Sequence, residues 1–116
     1  MAAYFSRTGS ASAPTVPTLV PVQEVTSGNY YVQLTDYYIG CNGTGITVTL
    51  PLGSTVPTGK VYVIKDESGL ITNNASYRFT VATSDSNKID GSSSLTVITS
   101  YTGLDVIWTG STWSII

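Results

Sequence analysis

The sequence has no histidine and only one cysteine, Cys41, among its 116 residues. Without histidine, the Ser-His-Asp and Cys-His catalytic arrangements are excluded, and the most common general base is missing. One cysteine cannot form a disulfide within the chain, and without histidine it cannot complete a zinc site. We therefore expect no metal and no cofactor, and we expect Cys41 to be a small, partly buried apolar residue.

Charge is also scarce, because only 10% of the residues are charged and the net charge is −2. The five cations are scattered along the chain, at Arg7, Lys60, Lys65, Arg78 and Lys88. Nucleic-acid binding requires clustered Lys and Arg, so we expect no nucleic-acid partner. So little charge also leaves a free monomer poorly protected against association, which favours a protein that assembles with other chains.

Long apolar runs are absent, and none approaches the ~20 residues of a membrane helix. The first seven residues lack the basic start and apolar middle of a signal peptide. We therefore expect no membrane partner, and we expect synthesis and retention in a cytoplasm until assembly.

Proline is concentrated near the N-terminus, at Pro14, Pro17 and Pro21. Each proline removes a backbone donor and pushes the preceding residue toward extended geometry. Residues 1–26 are therefore predicted to form an extended arm. Its apolar side chains, which favour contact with a partner over a solvated disordered leader, are Val16, Leu19, Val20, Val22 and Val25.

Residues 27–116 alternate short β-branched or aromatic runs with turn residues, as expected of a single β-rich domain. Residues 46–50 alternate strictly, which places Ile46, Val48 and Leu50 on a core face. Residues 60–66 are apolar on both faces, which is typical of a central strand or of a subunit interface. The predicted fold is all-β: a small antiparallel β-sandwich or barrel, jelly-roll-like, that ends in a hairpin of residues 104–108 and 113–116.

Paired carboxylates are the remaining route to catalysis, because they can hydrolyse glycosides without histidine. The candidates are Asp36, Asp66, Glu67, Asp90 and Asp105. Residues 66–69 and 90–91 also have the composition of polar turns, and we expect turns rather than catalysis. Similarly, Asp85 and Asn87 could lend oxygens to calcium, but a hydrated loop is the favoured interpretation.

Aromatic residues are plentiful, with eight tyrosines and two tryptophans. Tyr30-Tyr31 and Tyr37-Tyr38 are doublets, so one member of each pair points away from the core if the strands are regular. Outward tyrosines can bind sugars, form interfaces or be half-buried, and an interface is the leading interpretation.

Several segments in a fixed order resemble a module of phage and prophage structural proteins. They are residues 38–40, 46–51 (ITVTLP), 57–69 (PTGKVYVIKDESG), 88–97 (KIDGSSSLTV) and the closing 113–116 (WSII). The resemblance implies a β-rich virion module, found at the ends of tail fibres or spikes and also as a free-standing head or capsid protein, which acts as a trimer. It implies no catalytic motif, and we expect no enzyme.

Because only a Pro-rich arm precedes the module here, without a fibre shaft, we expect a capsid decoration (cement) protein on the virion surface. Its expected partners are the major capsid protein and two further copies of itself. The arm residues expected to contact the capsid are Val16, Leu19, Val20 and Val22; those expected at the subunit interface are Tyr62, Ile64, Ile107 and Trp108. Alternatives are a tail-fibre, tail-tip or head-fibre module that binds a host receptor or glycan, and a cellular carbohydrate-binding domain.

Overall fold

The computed structural model describes residues 19–116, which form β-strands with short connections and two 3₁₀ turns. The strands are β1 (Val22–Val25), β2 (Asn29–Tyr31), β3 (Tyr38–Cys41), β4 (Thr47–Thr49), β5 (Val61–Asp66), β6 (Phe79–Ala82), β7 (Ser94–Val97), β8 (Gly103–Trp108) and β9 (Trp113–Ile115). The 3₁₀ turns are Gly53–Thr55 and Ala75–Tyr77. The prediction of an all-β chain is confirmed.

The chain crosses repeatedly between two sheets. One five-stranded sheet, called sheet A, has the order β1-β3-β5-β8-β9, and a four-stranded sheet, called sheet B, has the order β2-β4-β6-β7. The first six strands therefore alternate between A and B, and each new strand is added beside the previous strand of its own sheet. Of the last three strands, β7 completes sheet B, and β8 and β9 complete sheet A.

The predicted antiparallel pairing is wrong for the first two-thirds of the fold. The pairs β1/β3, β3/β5, β2/β4 and β4/β6 are parallel, and only β5/β8, β6/β7 and β8/β9 are antiparallel. Parallel neighbours need a long crossover connection, which is usually a helix. Here each crossover passes through a strand of the opposite sheet. The turn-rich connections between consecutive strands therefore lead from one sheet to the other, although their composition suggests hairpins.

One hydrophobic core takes side chains from both sheets. Ile39, Tyr62 and Ile64 of sheet A and Val48 and Val81 of sheet B are fully buried in the same cluster. The strict alternation over residues 46–50 is confirmed, because Ile46, Val48 and Leu50 are buried while both threonines between them are half-buried. The period-two pattern thus identified the core face of β4 correctly.

The outer face of sheet B carries hydroxyl groups instead of charges. Its strand register aligns Thr47, Thr80 and Thr96 in one row across the sheet. A second row joins Tyr31, Thr49, Ala82 and Ser94. These rows explain how a chain with so few charged residues keeps a polar surface on one sheet.

Residues 60–66 were predicted to form either a central strand or a strand at a subunit interface, and the structure has a central strand there. β5 lies third in the five strands of sheet A, between β3 and β8. The closing hairpin is also confirmed, with Trp108 paired to Trp113 across β8 and β9. The backbone amide of Ile116 donates to Asp105 O over 2.9 Å, but the side chain of Ile116 stays exposed.

The predicted boundary between arm and domain at residue 26 needs correction. Val22–Val25 is the edge strand of sheet A, in parallel register with Tyr38–Cys41. The carbonyl of Pro21 extends this pairing by accepting a 3.1 Å hydrogen bond from the amide of Tyr38. Residues 21–25 of the predicted arm are therefore part of the folded domain, and residues 1–18 lie outside the described residues.

Candidate functional site

A pocket of about 310 Å³ lies on the outer face of sheet A, where β1 runs beside β3. The parallel register sets Val22 opposite Tyr38 and Glu24 opposite Gly40, so these four positions line one side of the sheet. The residues that line the pocket are Val22, Gln23, Glu24, Tyr38, Gly40, Asn42 and Glu67. The volume falls at the lower end of the range found for small-ligand pockets.

The pocket exists because residue 40 is glycine. Gly40 is buried, and a Cβ atom there would lie 2.9 Å from Glu67 Cγ and 3.3 Å from Tyr38 Cε2. Any larger residue would therefore fill the hollow and push against both walls. On the other strands of the same row, the neighbours of Gly40 are Glu24 and Lys65.

Hydrogen bonds fix both acidic side chains of the pocket. The hydroxyl of Tyr38 donates to Oε2 of Glu67, and the amide nitrogen of Asn42 donates to Oε2 of Glu24 over 2.7 Å. Burial, and secondly the bond to Glu67, raises the pKa of Tyr38 to about 12, so this hydroxyl remains a donor at neutral pH. Among residues 19–116, neither carboxylate has a hydrogen-bond partner on its Oε1 atom.

Two lysines of the described residues make their contacts outside the pocket. Nζ of Lys65 donates to Asp66 O over 3.1 Å and lies 5.4 Å from the ring centre of Tyr101. Nζ of Lys60 lies 5.0 Å from the ring centre of Tyr62. The pocket is therefore lined by two carboxylates, one phenol and the side-chain amides of Gln23 and Asn42, a set that suits a cationic or hydroxyl-rich group.

Asp66 and Glu67, the adjacent candidates for glycoside hydrolysis, lie in different surroundings. Asp66 is fully buried and accepts four hydrogen bonds within its own turn and the loop before β8. Glu67 points to the outer pocket instead. Asp36 is buried and accepts from the hydroxyl of Tyr30 over 2.6 Å. The predicted turn at residues 66–69 is confirmed, with Gly69 at φ 72°.

Calcium binding was the alternative considered for Asp85 and Asn87. Within residues 19–116, no group of three or more acidic, cysteine or histidine side chains is placed to hold a metal. The oxygens of Asp85 accept instead from the amide of Gly53 at 2.9 Å and from the amide of Asn87 at 3.0 Å. These bonds hold the pKa of Asp85 below its ordinary value, against burial, which acts in the opposite direction. Asp85 therefore anchors its loop to the first 3₁₀ turn.

Three of the four residues predicted for the subunit interface belong to the interior. Tyr62 and Ile64 are 0% exposed and Trp108 is 4% exposed, so all three pack inside the chain's own core. The sequence predicted the strands that carry them correctly. Side chains alternate between the two faces of β5 and β8, and these three point into the core. Ile107 alone is partly exposed, on the outer face of sheet A.

The predicted capsid-contact residues that the structure describes are exposed. Leu19 is 88% exposed, Val20 is 45% exposed and Val22 is 69% exposed. Val16 lies outside the described residues. Leu19 and Val20 precede β1, which is the edge strand of sheet A among residues 19–116.

Sequence reasoning did not find the pocket residues Glu24, Tyr38, Asn42 and Glu67 as a group. Their proximity depends on the parallel register of β1 and β3, which the prediction of antiparallel strands excluded. The signal in the sequence was Gly40, a glycine inside an otherwise regular strand, which often marks a close approach.

Comparison with known proteins does not assign the chain to a group, since no protein family and no curated protein matches its sequence. Within residues 19–116, none of the structure is a helix long and apolar enough to cross a membrane.

Proposed function

We propose that the chain is a structural protein of a bacteriophage particle: a capsid decoration (cement) protein that trimerises on the outer capsid surface. In this role it binds the major capsid protein and stabilises the shell after synthesis in the host cytoplasm. The two sheets act as a β-sandwich module, and the N-terminal segment acts as the arm that reaches the capsid.

The observation that carries the proposal is the exposed apolar segment that leads into β1. Leu19, Val20 and Val22 are all exposed large apolar side chains within a span of four residues, at the start of the strand that forms one edge of sheet A in the described part of the chain. Burial of apolar surface contributes about 25 cal/mol per Å², so covering these side chains with a partner stabilises the complex. A chain with so little charge also gains stability from assembly, because binding shifts folding toward the assembled form.

The test is co-sedimentation with undecorated capsids. We expect the double variant Leu19→Asp, Val20→Asp to lose most of its binding, because it places two charges in an apolar contact without touching a sheet residue. The matched control is Leu70→Asp, another exposed leucine outside the N-terminal segment, which should bind as the wild type does. Deletion of residues 1–20 should abolish binding and leave β1 in place.

Normal capsid binding by both the double variant and the truncated chain would contradict the proposed arm contact. Failure of the wild-type chain to bind capsids at all would contradict the cement function itself.

A second candidate function is a tail-fibre, tail-tip or head-fibre module that binds a host receptor or glycan. Three exposed tyrosines, Tyr31, Tyr77 and Tyr101, favour it, because exposed aromatic rings can stack on sugars. Glycan titration distinguishes this function from the cement function. Soluble host glycans are titrated against the wild type, a variant with all three tyrosines changed to Phe, and a variant with all three changed to Ala. Stacking survives Phe and is lost with Ala, whereas a cement protein binds none of these glycans.

A further inference from the structure

The two edges of sheet A differ in charge. The β1 edge carries the pocket with Glu24 and Glu67. At the opposite edge, the chain segment at Lys88 borders β9: the amide of Trp113 donates to Lys88 O over 2.9 Å, and the amide of Asp90 donates to Trp113 O over 3.0 Å. Lys88 is exposed there, so one edge is acidic and the other carries a cation.

Lys88 cannot reach the pocket of its own chain. Four strand-to-strand steps separate β1 from β9, which is about 19 Å at the usual spacing of ~4.8 Å. The two groups therefore meet only if a second copy brings its β9 edge to the β1 edge of the first.

Apolar side chains flank the charged groups on both edges. Val22 is exposed beside the pocket, and Ile115 and Ile116 are exposed at the end of β9. Each edge therefore has exposed apolar side chains, and the charged groups of the two edges are opposite in sign. The two edges are complementary in apolar surface and in charge. Asp90, the acidic neighbour of Lys88, is exposed as well. Its Oδ1 accepts from the backbone amide of Ile115 at 3.4 Å, so its carboxylate is turned toward its own chain.

We propose that the pocket of one copy binds the ammonium group of Lys88 from a second copy. The Oε1 atoms of Glu24 and Glu67 accept from Nζ, and the ring of Tyr38 forms the wall beside them. The contact joins two different edges, so it is heterologous and repeats from copy to copy until a ring closes. Leu19 and Val20 remain outside this contact and available to the capsid, whereas Val22 is covered by the second copy.

This inference rests on the self-association in the proposed function, and charge reversal tests it by sedimentation equilibrium at low and high salt. Glu67→Lys and Glu24→Lys should each weaken self-association by about tenfold or more, and so should Lys88→Glu. The combination of Glu67→Lys with Lys88→Glu should restore most of the affinity, because the pair is reversed and not removed. The control is Asp105→Lys, a reversal of an exposed carboxylate on the same face of sheet A but outside the pocket.

A second measurement does not depend on any variant folding. A zero-length carbodiimide reagent, applied to a mixture of isotopically light and heavy wild-type chains, should join Lys88 to Glu24 or Glu67 in mixed light–heavy peptides. Self-association without this cross-link and without an effect of charge reversal would overturn the inference and leave the trimer proposal standing. A wild-type chain that stays monomeric at every concentration would overturn both, while capsid co-sedimentation tests the arm separately.

Discussion

The backbone amide of Tyr101 donates a 2.8 Å hydrogen bond to Oδ2 of Asp66, across 35 residues of sequence. Gly69 donates to the same oxygen, and both the amide and the hydroxyl of Ser68 donate to Oδ1. Asp66 is fully buried, so one carboxylate holds the turn after β5 and the loop before β8 together. Tyr101 adopts a φ of 61°, a left-handed conformation that this network stabilises.

Replacement of Asp66 by Asn should lower the free energy of unfolding by about 2–4 kcal/mol. Asparagine keeps the shape but presents one NH₂ group to backbone donors, so at least one buried amide loses its acceptor. Urea unfolding of the wild type and the variant measures the difference. Asp105→Asn, at an exposed carboxylate, serves as the control and should change stability by no more than about 0.5 kcal/mol.

The same carboxylate predicts how stability depends on acid. Burial by itself raises the pKa of Asp66, but the bonds from Tyr101, Ser68 and Gly69 more than offset it, so the pKa lies below its ordinary value of 3.8. Because the folded pKa is lower than the unfolded one, the stabilisation is fully present above the unfolded pKa. It is lost as pH falls through the folded pKa.

We therefore expect the stability gap between wild type and Asp66→Asn to be constant near neutral pH and to narrow below about pH 4. Urea unfolding across a pH series measures the gap. A gap that stays constant down to the lowest pH would show that the network does not favour the ionised carboxylate.

Local sequence patterns predicted the strands better than their partners. Alternation over residues 46–50 gave the correct core face, because side-chain period follows directly from strand geometry. The parallel pairing of β1 with β3 was not predictable in this way, because pairing depends on which sheet each crossover enters. The same limit applied to the interface: the apolar pattern identified β5, but only the fold shows that Tyr62 and Ile64 belong to the core.

The pocket depended on pairing as well, since Glu24 and Gly40 become neighbours only through the register of two parallel strands. Loop behaviour was a further limit. Asp85 and Asn87 were interpreted as part of a hydrated loop, yet Asp85 accepts a hydrogen bond from the backbone amide of Gly53, which is distant in the sequence. Composition indicates only the local conformational preference of a segment. A hydrogen bond between residues that are distant in the sequence depends on how the whole chain folds.

Gly103 should tolerate no side chain. A Cβ atom there would overlap the carbonyl oxygen of Ile64 and lie 2.6 Å from Cα of Lys65, both backbone atoms of β5 that cannot rotate away. Gly103→Ala should therefore lower the free energy of unfolding by about 3 kcal/mol or more, at the upper end for overpacking. Thermal and urea unfolding measure this loss.

Gly59→Ala is the matched control for Gly103→Ala. Gly59 has a φ of 94° and open space around its missing Cβ, so alanine costs about 1–2 kcal/mol from backbone strain alone. Equal losses in the two variants would contradict a specific overlap between Gly103 and β5.

Cys41 should resist alkylation in the folded protein. The side chain is 0% exposed, and burial, followed by the negative charge of Asp66, raises the pKa of its thiol to about 12. Both effects act together, because the reagent cannot reach the sulfur and almost no reactive thiolate forms at neutral pH. Iodoacetamide labelling followed by mass spectrometry should show negligible reaction in buffer and complete reaction in denaturant.

Labelling of Cys41 also measures the contribution of β1 to the domain. Val25 pairs with Cys41 in the parallel register of β1 and β3, so β1 covers one edge of the strand that carries the thiol. Deletion of residues 1–20 should leave the thiol protected, whereas deletion of residues 1–25 removes β1 and should increase the labelling rate. Equal protection in both truncations would mean that β1 is not needed to close this edge of the core; rapid labelling in both would mean that residues before β1 stabilise it.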